Sequence, residues 1–117
     1  MASESVSDIQ ALFASAFHAY RAGHFEEAER LYRQALVYEP RHVNSLHMVG
    51  LIAYRTGHYD LAAEMIGEAI SINDGDAFLH ANLGLVFQGL GQLERAVVCC
   101  QKAIALNPDY PQAQNNL

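Results

Sequence analysis

The chain has 117 residues, about one domain's worth and enough to fold alone. Its hydrophobic content of 51% argues against disorder. Its net charge of −6 weighs against nucleic acid and against an anionic membrane surface, both of which need a basic footprint. No apolar run reaches the roughly 18–20 residues of a membrane helix. The first ten residues carry Glu4 and Asp8 but no Lys or Arg, unlike a secretory signal. These features set the expectation of a cytoplasmic chain.

Apolar spacing predicts seven helices, near 8–22, 25–39, 42–56, 59–73, 76–90, 93–107 and 110–117. Ser7 with Gln10 reads as a capping box opening the first, whose Leu12, Ala16 and Ala19 recur at i, i+4 and i+7. Gly23 follows it, where a left-handed C-terminal cap favours glycine. The second carries Glu26, Glu27 and Glu29, read as a solvated acidic face near a helix N-terminus, and stops at Pro40. The third repeats the spacing with Leu46, Gly50 and Ala53 before Gly57. The fourth carries Ala62 and Ala69, and the fifth carries Gly84 and ends before Gly91. The sixth contains the adjacent pair Cys99 and Cys100, about 100° apart on a helix, which suits neither a disulfide nor a metal pair. Cys100 is expected in the core and Cys99 towards an edge. The seventh, in DYPQAQNNL, reads as the start of a further unit.

Self-similarity organises these elements. Gly23, Gly57 and Gly91 lie 34 residues apart. The same offset joins Ala28, Ala62 and Ala96, and joins Ala35, Ala69 and Ala103. It joins Phe25, Tyr59 and Leu93, and places Asn116 one period after Asn82. Gly50 and Gly84, one period apart in first helices, are expected to meet Ala62 and Ala96 where two helix axes approach.

The segments GHFEEAERLYRQALVYEP, GHYDLAAEMIGEAISIND and GQLERAVVCCQKAIALNP carry this pattern three times. They resemble the tetratricopeptide repeat family, over about residues 9–117. The resemblance implies an all-α solenoid, a right-handed superhelix of antiparallel helix pairs. It divides the chain into an N-terminal extension (1–8), repeats at 9–42, 43–76 and 77–110, and the first half-helix of a fourth at 111–117. The phrase LNPDYPQAQNNL is also similar to the arrays of bacterial O-GlcNAc-transferase-like proteins. The expectation is a piece of a longer array, whose open repeat ends could pair chains into a homo-oligomer.

No phosphate loop, HExxH or CxxC pattern is present, and no enzyme activity, cofactor or metal is expected. His24 and His58 sit at equivalent turns, and His42 and His47 fall on different faces of one helix. In the resembled family the first helices line a concave groove that grips peptides. Carried onto this sequence, the groove holds Phe13, Phe17, Tyr20 and Arg21, then His47, Leu51, Tyr54 and Arg55, then Phe78, Asn82 and Leu85, with Asn116 beyond. Gln10, Asn44, Ala81 and Gln88 complete the stripe. The Tyr-Arg pair of Tyr20–Arg21 and Tyr54–Arg55 lapses to Gln88–Gly89. The lysine-and-asparagine clamp of chaperone-tail binders is absent, its places holding Phe13, Phe17 and His47. An asparagine ladder is matched by Asn82 and Asn116 and broken by Ala14 and Met48. The expected function is a scaffold that binds a peptide or protein segment in this groove. The alternatives are a substrate-presenting region of a larger glycosyltransferase and a self-associating repeat module.

Overall fold

The structure, a computed structural model, describes residues 2–109, with side chains from residue 8 onward. Six helices follow one another: α1 (Ala2–Arg21), α2 (Phe25–Tyr38), α3 (Val43–Arg55), α4 (Tyr59–Ile72), α5 (Ala77–Gly89) and α6 (Leu93–Leu106). The described residues contain no strand. The expected seventh helix, with Asn116, lies outside them.

The turns inside each pair are set by backbone chemistry. Gly23, Gly57 and Gly91 have φ of 83°, 85° and 77°, the left-handed region that only glycine enters without strain. The chain then folds back so that His24 N–H donates to Ala19 O, and Gly23 N–H to Tyr20 O. The same two bonds recur from His58 to Ala53 and Gly57 to Tyr54, and from Gln92 to Phe87 and Gly91 to Gln88. This double closure satisfies carbonyls that a helix end would otherwise orphan.

Two sequence expectations are corrected. α1 begins at Ala2, so Ser7 and Gln10 both lie inside the helix and do not form its opening box. The polar residues Ser3, Glu4 and Ser5 continue the helix, because small and acidic residues are well tolerated in a first turn. Cys99 is buried at 8% exposure, not at an edge, because it packs beside the glycine of α5: a Cβ placed on Gly84 would lie 3.5 Å from the Cys99 Cβ.

Packing runs in sequence order. α1 lies on α2, α3 on α4 and α5 on α6, while α2 contacts α3, α4 contacts α5, and α3 also touches α5. The inner row of each second helix is small: Ala28, Ala35, Ala62, Ala69 and Ala103 are wholly buried, and Ala96 nearly so. This lets the partner helix come close. A Cβ on Gly50 would lie 2.6 Å from Ile66 Cγ1 and 3.3 Å from the Ala62 carbonyl. A Cβ on Gly84 would lie 3.1 Å from Cys100 Sγ and 3.4 Å from the Ala96 carbonyl. The expected meetings of Gly50 with Ala62 and of Gly84 with Ala96 are therefore present. Larger apolar residues fill the space around them, with Tyr32, Leu46, Val49, Ile52, Leu79 and Val86 almost completely covered.

One buried polar atom is left over. Tyr32 has no exposed surface, and its hydroxyl has no partner among the described residues. Burial pushes its ionisation up to about 12, with a smaller contribution from Tyr20. Its ring still meets Phe13 edge-on at 5.5 Å.

Two stability measurements follow from this packing. Gly50→Ala gains about 1 kcal/mol of helix propensity but forces the Ile66 branch to move, so the net expectation is a loss of about 1–3 kcal/mol. A thermal melt of this variant unchanged from the parent refutes the close approach; Gly84→Ala, against a sulfur at the contact edge, should lose less. Tyr32→Phe keeps the ring and removes the orphan hydroxyl, so stability should hold or rise by up to about 1 kcal/mol in urea denaturation. A clear loss shows that the hydroxyl has a bonding partner.

Candidate functional site

Side chains of α1, α3 and α5 line one shared inner face, across which Arg55 of α3 reaches Tyr20 of α1 and α3 touches α5. It has two compartments, displaced along the helix axes. The first, of about 590 Å³, lies at the C-terminal ends of α1 and α3 and along α5, and is lined by Tyr20, Leu51, Tyr54, Arg55, Asn82 and Leu85. Phe25 and Tyr59, at the starts of α2 and α4, form its far wall. The second, of about 270 Å³, lies beside the second half of α1, the first two turns of α3 and the start of α5, and is lined by Phe13, Phe17, Asn44, His47, Met48 and Asp76. Phe78 lines both.

The larger compartment holds an anchored cation. Arg55 Nε donates to Tyr20 Oη at 3.0 Å across 35 residues of sequence. Its guanidinium carbon also sits 5.6 Å from the Tyr20 ring centre, within cation–π range. Both salt bridges between described residues lie on α2, Arg30 with Glu27 and Arg33 with Glu29. Arg55 is thus exposed and held by an aromatic ring, without a carboxylate among the described residues. Arg21 resembles it more loosely, with its guanidinium 6.0 Å from the Phe17 ring.

The floor is polar but closed. Asn82 Nδ2 donates to His47 Nε2 at 2.8 Å, and both residues are buried, at 4% and 5% exposure. A ring nitrogen that accepts is unprotonated, so His47 is neutral with its proton on Nδ1. Desolvation lowers its pKa to about 4, against a smaller opposing pull from Asp76. The His47 ring also stands edge-on to Phe78, at 5.1 Å.

The site residues expected from sequence divide into groups. Phe17 and Phe78 are exposed at 45% each, and Arg21 and Arg55 are exposed beside them. Phe13, Tyr20, Leu51, Tyr54 and Leu85 are half-buried walls. His47 and Asn82 bond each other in the floor. Ala81, from the wider stripe, is wholly buried and clusters with Ala103 of α6.

Sequence reasoning missed Phe25, Tyr59, Met48 and Asp76. The first two were visible as the aromatic after each turn glycine, five residues beyond Tyr20 and Tyr54, and those pairs now meet with ring centres 5.7 and 5.6 Å apart. Tyr59 also explains the lapse at Gly89. A Cβ there would lie 3.1–3.2 Å from three atoms of the Tyr59 ring, so the ring occupies the room an arginine stem needs.

No group of three or more His, Cys, Asp or Glu gathers among the described residues. No described helix is long and apolar enough to cross a membrane.

The sequence pattern described as tetratricopeptide repeat matches residues 13–77 and again 77–110. The chain is similar in structure to an O-GlcNAc transferase mutant from Thermobaculum terrenum, at 34% identity and a TM-score of 0.93. That match covers 97% of this chain and 22% of the transferase chain, so the chain spans about a fifth of its length. The first TPR of Spaghetti, bound to an HSP90 peptide, is 18% identical with a TM-score of 0.91, over 95% of this chain and 88% of that one. The Yersinia enterocolitica type III secretion translocator chaperone SycD is 19% identical with a TM-score of 0.84, over 93% and 83%. At those identities the likeness is one of fold. A search of curated proteins gave no match.

The buried histidine makes stability depend on pH. Its folded pKa near 4 lies below the ordinary value of 6.5, so the unfolded chain takes up a proton first as pH falls. The stabilisation is complete above pH 6.5 and is lost towards pH 4, by up to about 3 kcal/mol. His47→Gln should flatten this part of the pH profile in urea denaturation. A parallel profile for the two proteins would show that His47 is not held neutral.

Proposed function

The chain belongs to the tetratricopeptide repeat family, and from that premise we propose that it is a protein-interaction module whose partner segment lies in the inner groove of α1, α3 and α5. The observation that carries this reading is the Tyr20–Arg55 contact, which bridges two repeats on that face. It holds a cation ready beside exposed aromatics at no cost to the core. Aromatic and arginine side chains dominate binding energy at protein interfaces, because they bury large area and make charge-assisted bonds. The groove has that composition at Tyr20, Tyr54, Arg55, Phe17 and Phe78.

The outer face supports the choice of side. α2 shows Glu27, Arg30 and Arg33 there, engaged in exposed ion pairs that suit a solvated surface.

A second reading has its own support. The similarity to the Thermobaculum terrenum O-GlcNAc transferase extends over nearly all of this chain. In that reading the groove presents a protein substrate to a sugar-transferring domain of the same polypeptide. An N-acetylglucosamine-transfer assay on the full product of the gene distinguishes the two, since the first reading expects none.

The groove is tested by affinity capture from lysate with the intact chain, identification of the bound protein, and titration of that protein into labelled variants. Tyr54→Ala and Arg55→Ala should each weaken binding about tenfold or more. Equal affinity in both variants places the site elsewhere.

A further inference from the structure

We propose that the groove reads two features at fixed separation on one acidic segment: an apolar anchor in the Phe13–Phe17–Met48 compartment, and a carboxylate at Arg55. The inference rests on the groove reading above and specifies the chemistry of what fills it.

Separation comes from the helix geometry. On α3 the residues of the smaller compartment, Asn44, His47 and Met48, and those of the larger, Leu51, Tyr54 and Arg55, are centred about two helical turns apart, so roughly 10 Å along the axis. An extended chain covers that distance in about three residues. Phe78 lines both compartments, so the two subsites adjoin at its ring.

Charge assigns each end. At one end Arg55 is exposed and donates through Nε to the Tyr20 hydroxyl, with no carboxylate paired to it among the described residues. At the other end Asp76 is the charged group, and its Oδ1 already accepts from the Phe78 N–H at 2.9 Å. The α5 N-terminus, which would otherwise attract an anion, is therefore occupied by this chain's own carboxylate. A ligand carboxylate is favoured at Arg55 and repelled near Asp76, while the exposed Phe17 ring and Met48 offer that end apolar surface. The floor adds no competing charge, because neutral His47 and Asn82 satisfy each other.

The recognition device is one arginine oriented by a tyrosine of the neighbouring repeat. Tyr20 is a positioning residue: its hydroxyl accepts from Arg55 Nε and its ring centre lies 5.6 Å from the guanidinium carbon. A lysine at position 55 could neither donate through Nε nor stack in the same plane.

The test is a random-peptide library displayed with free C-termini and selected on the intact chain, then on Arg55→Leu and Phe17→Ser, both at exposed positions. Peptides selected by the parent should share an acidic residue, or the terminal carboxylate, about three residues from a large apolar one. Arg55→Leu should keep the apolar preference and lose the acidic one, and Phe17→Ser the reverse. Hits resynthesised as C-terminal amides keep affinity if the carboxylate is a side chain and lose it if it is terminal. Parent affinity should fall with added salt, and Tyr20→Phe should lose severalfold in affinity and part of that salt dependence. Circular dichroism of each variant checks that it is folded. Acidic residues absent from the hits, scattered in spacing, or equally selected by Arg55→Leu overturn the two-feature rule while leaving the groove in place. No enrichment, or hits that bind Tyr54→Ala as well as the parent, overturn the groove reading itself.

Discussion

The close approach of α3 to α4 at Gly50 is the constraint on which the rest depends. With no side chain at Gly50 and only a methyl at Ala62, the Ile66 side chain can lie almost against the α3 backbone. The corresponding approach of α5 to α6 at Gly84 repeats the solution one period later, with Cys100 in place of Ile66. Close pairing narrows the α3–α4 and α5–α6 hairpins, which stack so that α3 touches α5. The inner face is the consequence.

Charge and solvation then divide the two faces. The outer charges of α2 are paired with each other along the helix, where water screens them and they contribute little. The inner cation is treated differently. Arg55 is held by a tyrosine of another repeat, so the same contact that ties α1 to α3 also aims a positive charge into the groove. Beneath it, polar atoms that would be costly if left unpaired are matched as His47 with Asn82. A stack built this way gains a contact between repeats and an exposed, held cation from one pair of side chains.

Much of this was legible in the sequence. The 34-residue offset located each turn glycine, and the structure gives all three a positive φ. The small residues predicted where helices approach, and the boundaries of α2 to α6 fall within a residue of those expected. The start of α1 was less legible, because Ser7 and Gln10 have the right spacing for a cap but nothing beyond local pattern decides whether a helix begins there. Within the groove, periodicity identified a face but not depth. Asn82 looks like a ligand-gripping amide on a helical wheel, yet it bonds to His47 across 35 residues. The 34-residue offset groups Tyr59 with Phe25 and Leu93, and only the neighbouring repeat reveals that it fills the space left by Gly89. Cross-repeat contacts of this kind depend on the superposition of two repeats, which one repeat's sequence does not encode.

The central claim is that the inner face of α1, α3 and α5 is where a partner segment is held. Backbone amide chemical shifts, followed by NMR as a selected peptide is added, test it most directly. The account predicts shifts concentrated at Tyr20, Leu51, Tyr54, Arg55, Asn82 and Leu85, with the outer residues Arg33, Glu64 and Val98 unmoved. Shifts confined to the outer surfaces of α2, α4 and α6 would contradict it.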